Sequence, residues 1–224
     1  MIDPSSLRAR FGDFARLAPI SEACAGDRGL PIDRYYAEKW LASMGQHMRG
    51  RILEVVTDLS DSDGDGYIAP GAEVVRVAPD GPDLIARLGS MTDAGAGRFD
   101  CLVMPHVLQT AFDIGTAIRV AYDALTPGGA LLATLPGITP LGVFGREYDA
   151  GCDRQCWSFT SKSAGRLFET YALSARLSIS AQGNVLAAIA LMQGLSAAEL
   201  TTEELDAMDA DYEVVIGVCV RKEV

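Results

Sequence analysis

The chain has 224 residues, of which 49% are hydrophobic, which is enough to bury the core of one α/β domain and argues against disorder. A net charge of −11 would repel a phosphate backbone and argues against nucleic acid as a partner. No apolar run reaches the roughly 20 residues of a membrane helix and the N-terminus lacks a signal-peptide pattern, so we expect a cytoplasmic protein without a membrane span. The five cysteines, an odd number, are expected to be free thiols.

The predicted elements alternate between helix and strand. Residues 1–30 are expected to form an N-terminal arm, and residues 31–224 are expected to form one domain. In chain order, the hydrophobic patterns predict a helix over 34–46, strands over 51–57, 73–78 and 99–104, a helix over 116–125, a strand over 130–135, a helix over 161–171, a strand over 173–181, a helix over 184–195 and a final strand over 212–220.

This alternation predicts a mostly parallel sheet with helices on both faces. Ligands of such sheets bind outside the carboxyl ends of the strands. The residues at or just beyond these ends are Thr57, Asp58, Ala78, Pro105, His106, Pro136 and Gly137. We therefore expect these residues to surround one crevice.

An acidic loop follows the first predicted strand. Asp61, Asp63 and Asp65, with Gly66 after them, match the first two-thirds of an EF-hand calcium loop. The glutamate that should close the loop is one residue late, at Glu73. The loop is a candidate calcium site, and an acidic insertion without metal is the alternative.

Two central segments carry a family resemblance. FDCLVMPHVLQTAFD and ALTPGGALLATLPG resemble the fourth and fifth strands of class I S-adenosylmethionine-dependent methyltransferases, in which an acid near the start of strand four (here Asp100) and an L-x-P-G-G turn (here 125–129) recur. The chain is also similar to a branch of methyltransferase-like proteins found beside or fused to bacterial glycosyltransferases. The segments that match this branch are PIDRYYAEKWL, RGRILEV, WSFTSKSAGRLFE, GNVLAAIALMQGL and ELTTEELDAMDADYEVVIGV.

The resemblance implies an α/β Rossmann-like class I methyltransferase sandwich of about seven strands, mostly parallel, with an antiparallel last strand. It also implies S-adenosylmethionine as cofactor, O-methylation of a sugar, polysaccharide or natural-product hydroxyl, and a glycosyltransferase as a partner. The cofactor would contact Tyr35, Glu54, Val56, Thr57, Asp58, Asp80, Met104 and Pro105. The acceptor would contact Arg34, Gln109, Tyr148 and Trp157.

Three positions depart from the family pattern. Val56 stands where glycine normally lets the backbone approach a nucleoside, and Asp80 is displaced beyond a proline from the end of the second strand. After the third strand, the expected acid has only Asp93 as a substitute. These departures leave open a module that has lost the cofactor and binds a partner, or an enzyme with a different reaction in the same pocket.

His106 is the best candidate for a catalytic base, because an imidazole with an ordinary pKa near 6.5 can accept a hydroxyl proton. The alternative is a histidine that caps a helix or lines the pocket. Trp157 follows a long loop and suits carbohydrate binding, or it anchors that loop to the core. Glu54 supports the cofactor or caps the next helix, and Tyr36 can simply pack helix one on the sheet.

Overall fold

The computed structural model describes residues 16–22, 28–55, 67–68, 71–77, 89, 98–141, 155–173 and 175–223. Its strands are β1 (Arg51–Val55), β2 (Glu73–Val77), β3 (Phe99–Pro105), β4 (Leu125–Pro136), β5 (Ala175–Gln182) and β6 (Val215–Lys222). Its helices are α1 (Ile32–Ser43), α2 (Ile114–Asp123), α3 (Ser161–Tyr171), α4 (Val185–Met192) and α5 (Thr202–Asp206). Short 3₁₀ turns lie at Gly45–His47, Leu108–Thr110 and Ala197–Glu199.

The six strands form one mixed sheet in the order β2-β1-β3-β4-β6-β5. Strands β1 to β4 are parallel, whereas β6 runs antiparallel to both β4 and β5. The predicted α/β fold with an antiparallel last strand is therefore confirmed, with six strands in the described part of the chain against the seven or so expected.

Alternating side chains of β1 show how the sheet is covered. Leu53 and Val55 belong to the apolar cluster that α2 and α3 complete on one face. Ile52 belongs to the cluster that Trp40 and Leu41 of α1 complete on the other face. Because the central strands are buried on both faces, their sequences read as continuous apolar runs.

Polar caps fix where the helices begin. Asp113 accepts a hydrogen bond from the Thr116 N–H, and Thr160 forms a capping box with Ser163. The Asn184 side chain accepts from the Ala187 N–H, as its position before an apolar run predicts. Helix α3 begins at Ser161 as predicted, whereas α2 begins two residues before its predicted start and α4 one residue after it.

The turn predicted at 126–129 lies within β4. Phe99 pairs with Leu125 and Cys101 pairs with Ala130, so four residues of β4 stand opposite Asp100 alone. Gly128 has a φ of 79°, which glycine adopts without strain. The L-x-P-G-G segment is thus a bulged turn within one continuous strand, β4.

Part of the predicted N-terminal arm packs on the domain. Ser21 is buried and its N–H donates to the Gln193 carbonyl at 3.0 Å, beyond the end of α4. The Leu30 carbonyl accepts from the Ala197 N–H at 2.8 Å. Residues 1–15 and 23–27 lie outside the described part of the chain.

Two predictions from composition bear on the described residues. Cys101 and Cys219 are buried free thiols, as expected. None of the described helices combines the length and the hydrophobicity that crossing a membrane requires.

Candidate functional site

The candidate site lies where the parallel strands end. Val55, Val77, Pro105 and Pro136 are the last residues of β1, β2, β3 and β4, and parallel pairing brings these ends to one edge of the sheet. Of the residues predicted to bind the cofactor there, Val56, Thr57, Asp58 and Asp80 lie outside the described residues.

His106 immediately follows β3 and adopts a left-handed backbone conformation, with φ of 48°. Its N–H donates to the Thr134 carbonyl at 3.0 Å and lies 3.1 Å from the Thr134 hydroxyl. Its carbonyl accepts from Gln109 Nε2 at 2.5 Å. A left-handed conformation costs a non-glycine residue about 1–3 kcal/mol, and such strain often accompanies a functional position.

The imidazole of His106 is buried, and this burial lowers its pKa below the ordinary value. The carboxylate of Asp33, in the first turn of α1, partly opposes that shift by raising the pKa. Asp33 is itself buried, with Oδ1 2.9 Å from the Arg34 N–H. A neutral imidazole beside a carboxylate can accept a proton and then have its positive charge stabilised.

Asp33 was not predicted as a site residue. It stands next to Arg34 in PIDRYY, and local sequence gives it only the role of an acid at a helix N-terminus. Its effect on the pKa of His106 arises from tertiary packing, because α1 packs on the sheet against β4 and β6. The one available signal was an acid placed where the first helix begins.

Gln109 joins the His106 turn to a second segment. Its carbonyl accepts from the Cys156 N–H at 2.7 Å and from the Trp157 N–H at 3.3 Å. Its side chain is buried, and Oε1 has no hydrogen-bond partner among the described residues. An unsatisfied buried acceptor costs about 1–3 kcal/mol, so this oxygen is suited to a ligand that brings a donor.

Trp157 lies beside this turn with part of its ring open to solvent. Its Nε1 donates to the Ala111 carbonyl at 3.0 Å, and its ring centroid is 6.5 Å from that of exposed Phe112. The indole therefore attaches its own segment to the turn that follows β3, whereas most of the loop that it was predicted to anchor lies outside the described residues. The exposed aromatic faces remain available for a ring-shaped acceptor.

Glu54 is the fourth residue of β1, and its carboxylate is engaged within the fold. Oε2 lies 2.8 Å from Arg76 Nε, and Oε1 accepts from the Tyr67 hydroxyl. Burial and this hydrogen bond raise the pKa of Tyr67. Glu54 thus caps no helix through these contacts, and its partners are a cation from β2 and a phenol from the segment before β2.

The α1 residues predicted near the site have partners on the domain surface. Arg34 forms an ion pair with Glu38 at 2.8 Å. Tyr35 donates to Asp206 at 3.3 Å, in a group that also contains Lys39. The adjacent Tyr36 is buried and donates to the Leu205 carbonyl at 2.8 Å, which agrees with the packing interpretation.

The remaining predicted site residues divide into two groups. The Met104 side chain is fully buried in the core, and Pro105 is half-buried at the strand end. Tyr148 and the acidic residues Asp61, Asp63 and Asp65 lie outside the described residues. Within the described part of the chain, no group of three or more acidic, histidine or cysteine side chains could hold a metal ion.

Comparison with known proteins supports the fold. No family model and no curated protein matches the sequence. The [4+2]-cyclase SpnF has a similar structure, with a TM-score of 0.51 and 14% identity over 86% of this chain and 81% of that chain.

Two methyltransferases have similar structures at lower TM-scores. The 1,6-didemethyltoxoflavin-N1-methyltransferase of Burkholderia thailandensis, solved with S-adenosylhomocysteine, has a TM-score of 0.49 and 12% identity over 84% of this chain and 79% of that one. A S-adenosylmethionine-dependent methyltransferase from Archaeoglobus fulgidus has a TM-score of 0.47 and 10% identity over 84% and 94%. The chain has the Rossmann-like α/β fold of class I methyltransferases.

Proposed function

We propose that the chain is a S-adenosylmethionine-dependent methyltransferase that methylates a hydroxyl of a sugar, polysaccharide or natural product. The observation that carries this proposal is His106, a buried imidazole on a left-handed main chain at the carboxyl end of the central strand β3, whose pKa the Asp33 carboxylate raises. A cytoplasmic location and a glycosyltransferase partner belong to the same proposal.

The described residues fit a ligand with a hydrogen-bond donor at this edge of the sheet. Gln109 Oε1 is a buried acceptor without a partner among them, and it suits the amino group of the cofactor or a hydroxyl of the acceptor. Because the Met104 side chain is packed in the core, Met104 and Pro105 would contribute main-chain atoms. Bound S-adenosylmethionine supplies an electrophilic methyl group.

His106 would accept the proton of the acceptor hydroxyl as its oxygen becomes nucleophilic. Asp33 would stabilise the resulting imidazolium, and the hydrogen bonds that the His106 N–H and carbonyl make with Thr134 and Gln109 would hold the His106 main chain in position. Trp157 and Phe112 would orient the acceptor ring. Few other catalytic groups are needed, because holding the reacting atoms in line supplies most of the acceleration.

A second function is favoured by the contacts that the Glu54 carboxylate already makes within the fold. Its carboxylate is already paired with Arg76 and Tyr67, and Val55 beside it is fully buried. A module that has lost the cofactor, or one that catalyses another reaction in the same pocket, would need no contact from Glu54. The similar structure named as a [4+2]-cyclase is consistent with this alternative.

Calorimetric titration of the purified chain with S-adenosylhomocysteine tests the cofactor. Binding with a dissociation constant in the micromolar range, about −8 kcal/mol, supports methyl transfer, and no binding at millimolar ligand removes it and leaves the alternative. The titration is repeated with calcium and with a chelator. Heat that appears only with calcium would assign the loop around Asp61, Asp63 and Asp65 as a calcium site.

Substitution of the two histidines tests the catalytic role. His106→Asn should lower methyl transfer to hydroxyl acceptors by about 10²–10⁴-fold without changing S-adenosylhomocysteine affinity, and asparagine tolerates the left-handed backbone. His47→Gln, at the only other histidine in the chain, is the matched control and should keep full activity. Equal activities of the two variants would remove His106 from the reaction.

A further inference from the structure

Helix α4 (Val185–Met192) is apolar on every side, with the sequence VLAAIALM. Ala187, Ala188, Ala190 and Leu191 are buried in the cluster that α1 completes. Val185, Leu186, Ile189 and Met192 on the other side are 38–47% exposed. Helices that are apolar on all sides are normally buried on all sides, so we expect another surface to cover the outer side of α4.

The exposed apolar surface continues beyond α4. Met208 is 46% exposed, and its sulfur lies 3.3 Å from the Gly183 N–H. Tyr212 is 38% exposed, and its carbonyl lies 2.8 Å from where a Gly183 Cβ would stand. Gly183 directly precedes the Asn184 cap of the helix. We call the set Val185, Leu186, Ile189, Met192, Met208 and Tyr212 the α4 patch.

We infer that the α4 patch is the interface of a two-fold homodimer. Six half-exposed side chains of this size present roughly 500 Å² of apolar surface, at the upper end for one patch on a monomer. A stable interface covers about 800 Å² on each partner, of which about 57–65% is apolar. The patch therefore supplies the apolar area that one side of such an interface needs. A two-fold dimer requires only this one surface on each chain.

The surrounding charges favour an antiparallel arrangement of the two α4 helices. The acids lie near the N-terminal end, where the Asp209 N–H donates to the Gly183 carbonyl and the Asp211 N–H donates to Asp209 Oδ1. The other end carries Gln193 and Gly194, and the single exposed acid Glu22 follows Ser21, whose N–H donates to the Gln193 carbonyl. Antiparallel helices place the two acids of one copy against the single acid of the other, whereas parallel helices would oppose the two acids of both copies. The two-fold axis then passes near Ile189.

Sedimentation equilibrium of the full chain tests the dimer. The wild-type chain should be dimeric with a dissociation constant of about 10 µM or tighter. Ile189→Glu should weaken association by about 30-fold or more, because each dimer would bury two unpaired carboxylates at its centre. Leu173→Glu is the matched control, since Leu173 is 67% exposed outside the patch, and it should leave the dimer unchanged. Circular dichroism checks that both variants are folded.

A second variant tests the geometry without adding charge. Ile189→Cys, in a background with Cys24, Cys152 and Cys156 all changed to serine, should form a disulfide between chains on mild oxidation, because the same residue meets itself at a two-fold axis. Leu173→Cys in the same background should not. A monomeric wild-type chain at tens of micromolar, or an Ile189→Glu chain as dimeric as wild type, would overturn the inference. The homodimer does not depend on methyl transfer.

Discussion

Removing Arg76 should destabilise the fold far more than removing Arg51, although both arginines form ion pairs between β1 and β2. In the register of these strands, Glu54 lies opposite Arg76 and Arg51 lies opposite Glu73. The Glu54 side chain is 1% exposed, whereas Arg51 and Glu73 are 42% and 68% exposed. The two pairs therefore differ mainly in the burial of the acid.

The expected magnitudes follow from that difference. Arg76→Leu leaves a carboxylate buried beside the Tyr67 hydroxyl without its cation, and breaking a buried pair in this way costs about 3–5 kcal/mol. Arg51→Leu breaks an exposed pair with Nε 3.1 Å from Glu73, and such pairs contribute at most about 1 kcal/mol. The free energy of unfolding in urea measures both.

The double variant Glu54→Gln with Arg76→Leu separates the unpaired charge from lost packing. The glutamine carbonyl oxygen can still accept a hydrogen bond from the Tyr67 hydroxyl but carries no charge, so the double variant should recover most of the loss. Equal losses for Arg76→Leu and Arg51→Leu would refute the assignment of a buried, paired Glu54. If the double variant is as unstable as Arg76→Leu, the loss in free energy of unfolding comes from lost packing and not from an unpaired charge.

Three further predictions concern other parts of the fold. Burial lowers the pKa of His106 in the folded state, so the unfolded chain binds more protons below about pH 6.5. The free energy of unfolding of the wild type should therefore decrease as the pH is lowered below that value, and that of His106→Asn should decrease less. The same pH dependence for both chains in urea unfolding would contradict this. Asn184→Ala removes the cap of α4 and the hydrogen bonds that Asn184 Nδ2 donates to the Glu204 and Ala207 carbonyls at 2.7 and 2.6 Å. This should lower the free energy of unfolding by about 2–4 kcal/mol, whereas Thr160→Ala, which removes a simpler cap, should lower it by about 1 kcal/mol. Gly217→Ala would force a methyl group into the Trp40 ring and should lower the melting temperature, whereas Gly165→Ala, within α3, should not.

The sheet could be predicted from sequence because its central strands are buried on both faces. Residues 101–104 of β3 and 130–133 of β4 are all apolar, and each of these strands ends at a proline that marks the edge. The bulge at 126–129 could not be predicted as part of a strand. Its four residues carry the same turn signal whether they separate two elements or interrupt one.

The sequence could predict those site residues that directly follow the end of a strand, but not the contacts that depend on tertiary packing or strand register. His106 and Gln109 follow a strand whose end the sequence marks, and the structure joins them through the His106 carbonyl. The Asp33 charge acts on His106 across some seventy residues of sequence, so only the packing of α1 on the sheet reveals it. The Glu54–Arg76 pair likewise depends on the register of β1 with β2, which hydrophobic patterns do not determine.

The placement of Glu54 and Gln109 bears on which ligand contacts the sheet edge can offer. A ligand cation at Glu54 would have to compete with a guanidinium that the strand register holds 2.8 Å away. A ligand donor at Gln109 Oε1 would compete with no described partner and would relieve an acceptor that costs about 1–3 kcal/mol while unsatisfied. The ligand's donor should therefore bind at Gln109. Gln109→Met should weaken S-adenosylhomocysteine or acceptor binding, whereas the Glu54→Gln, Arg76→Leu double variant should bind as the wild type does. The reverse result would return Glu54 to the cofactor site.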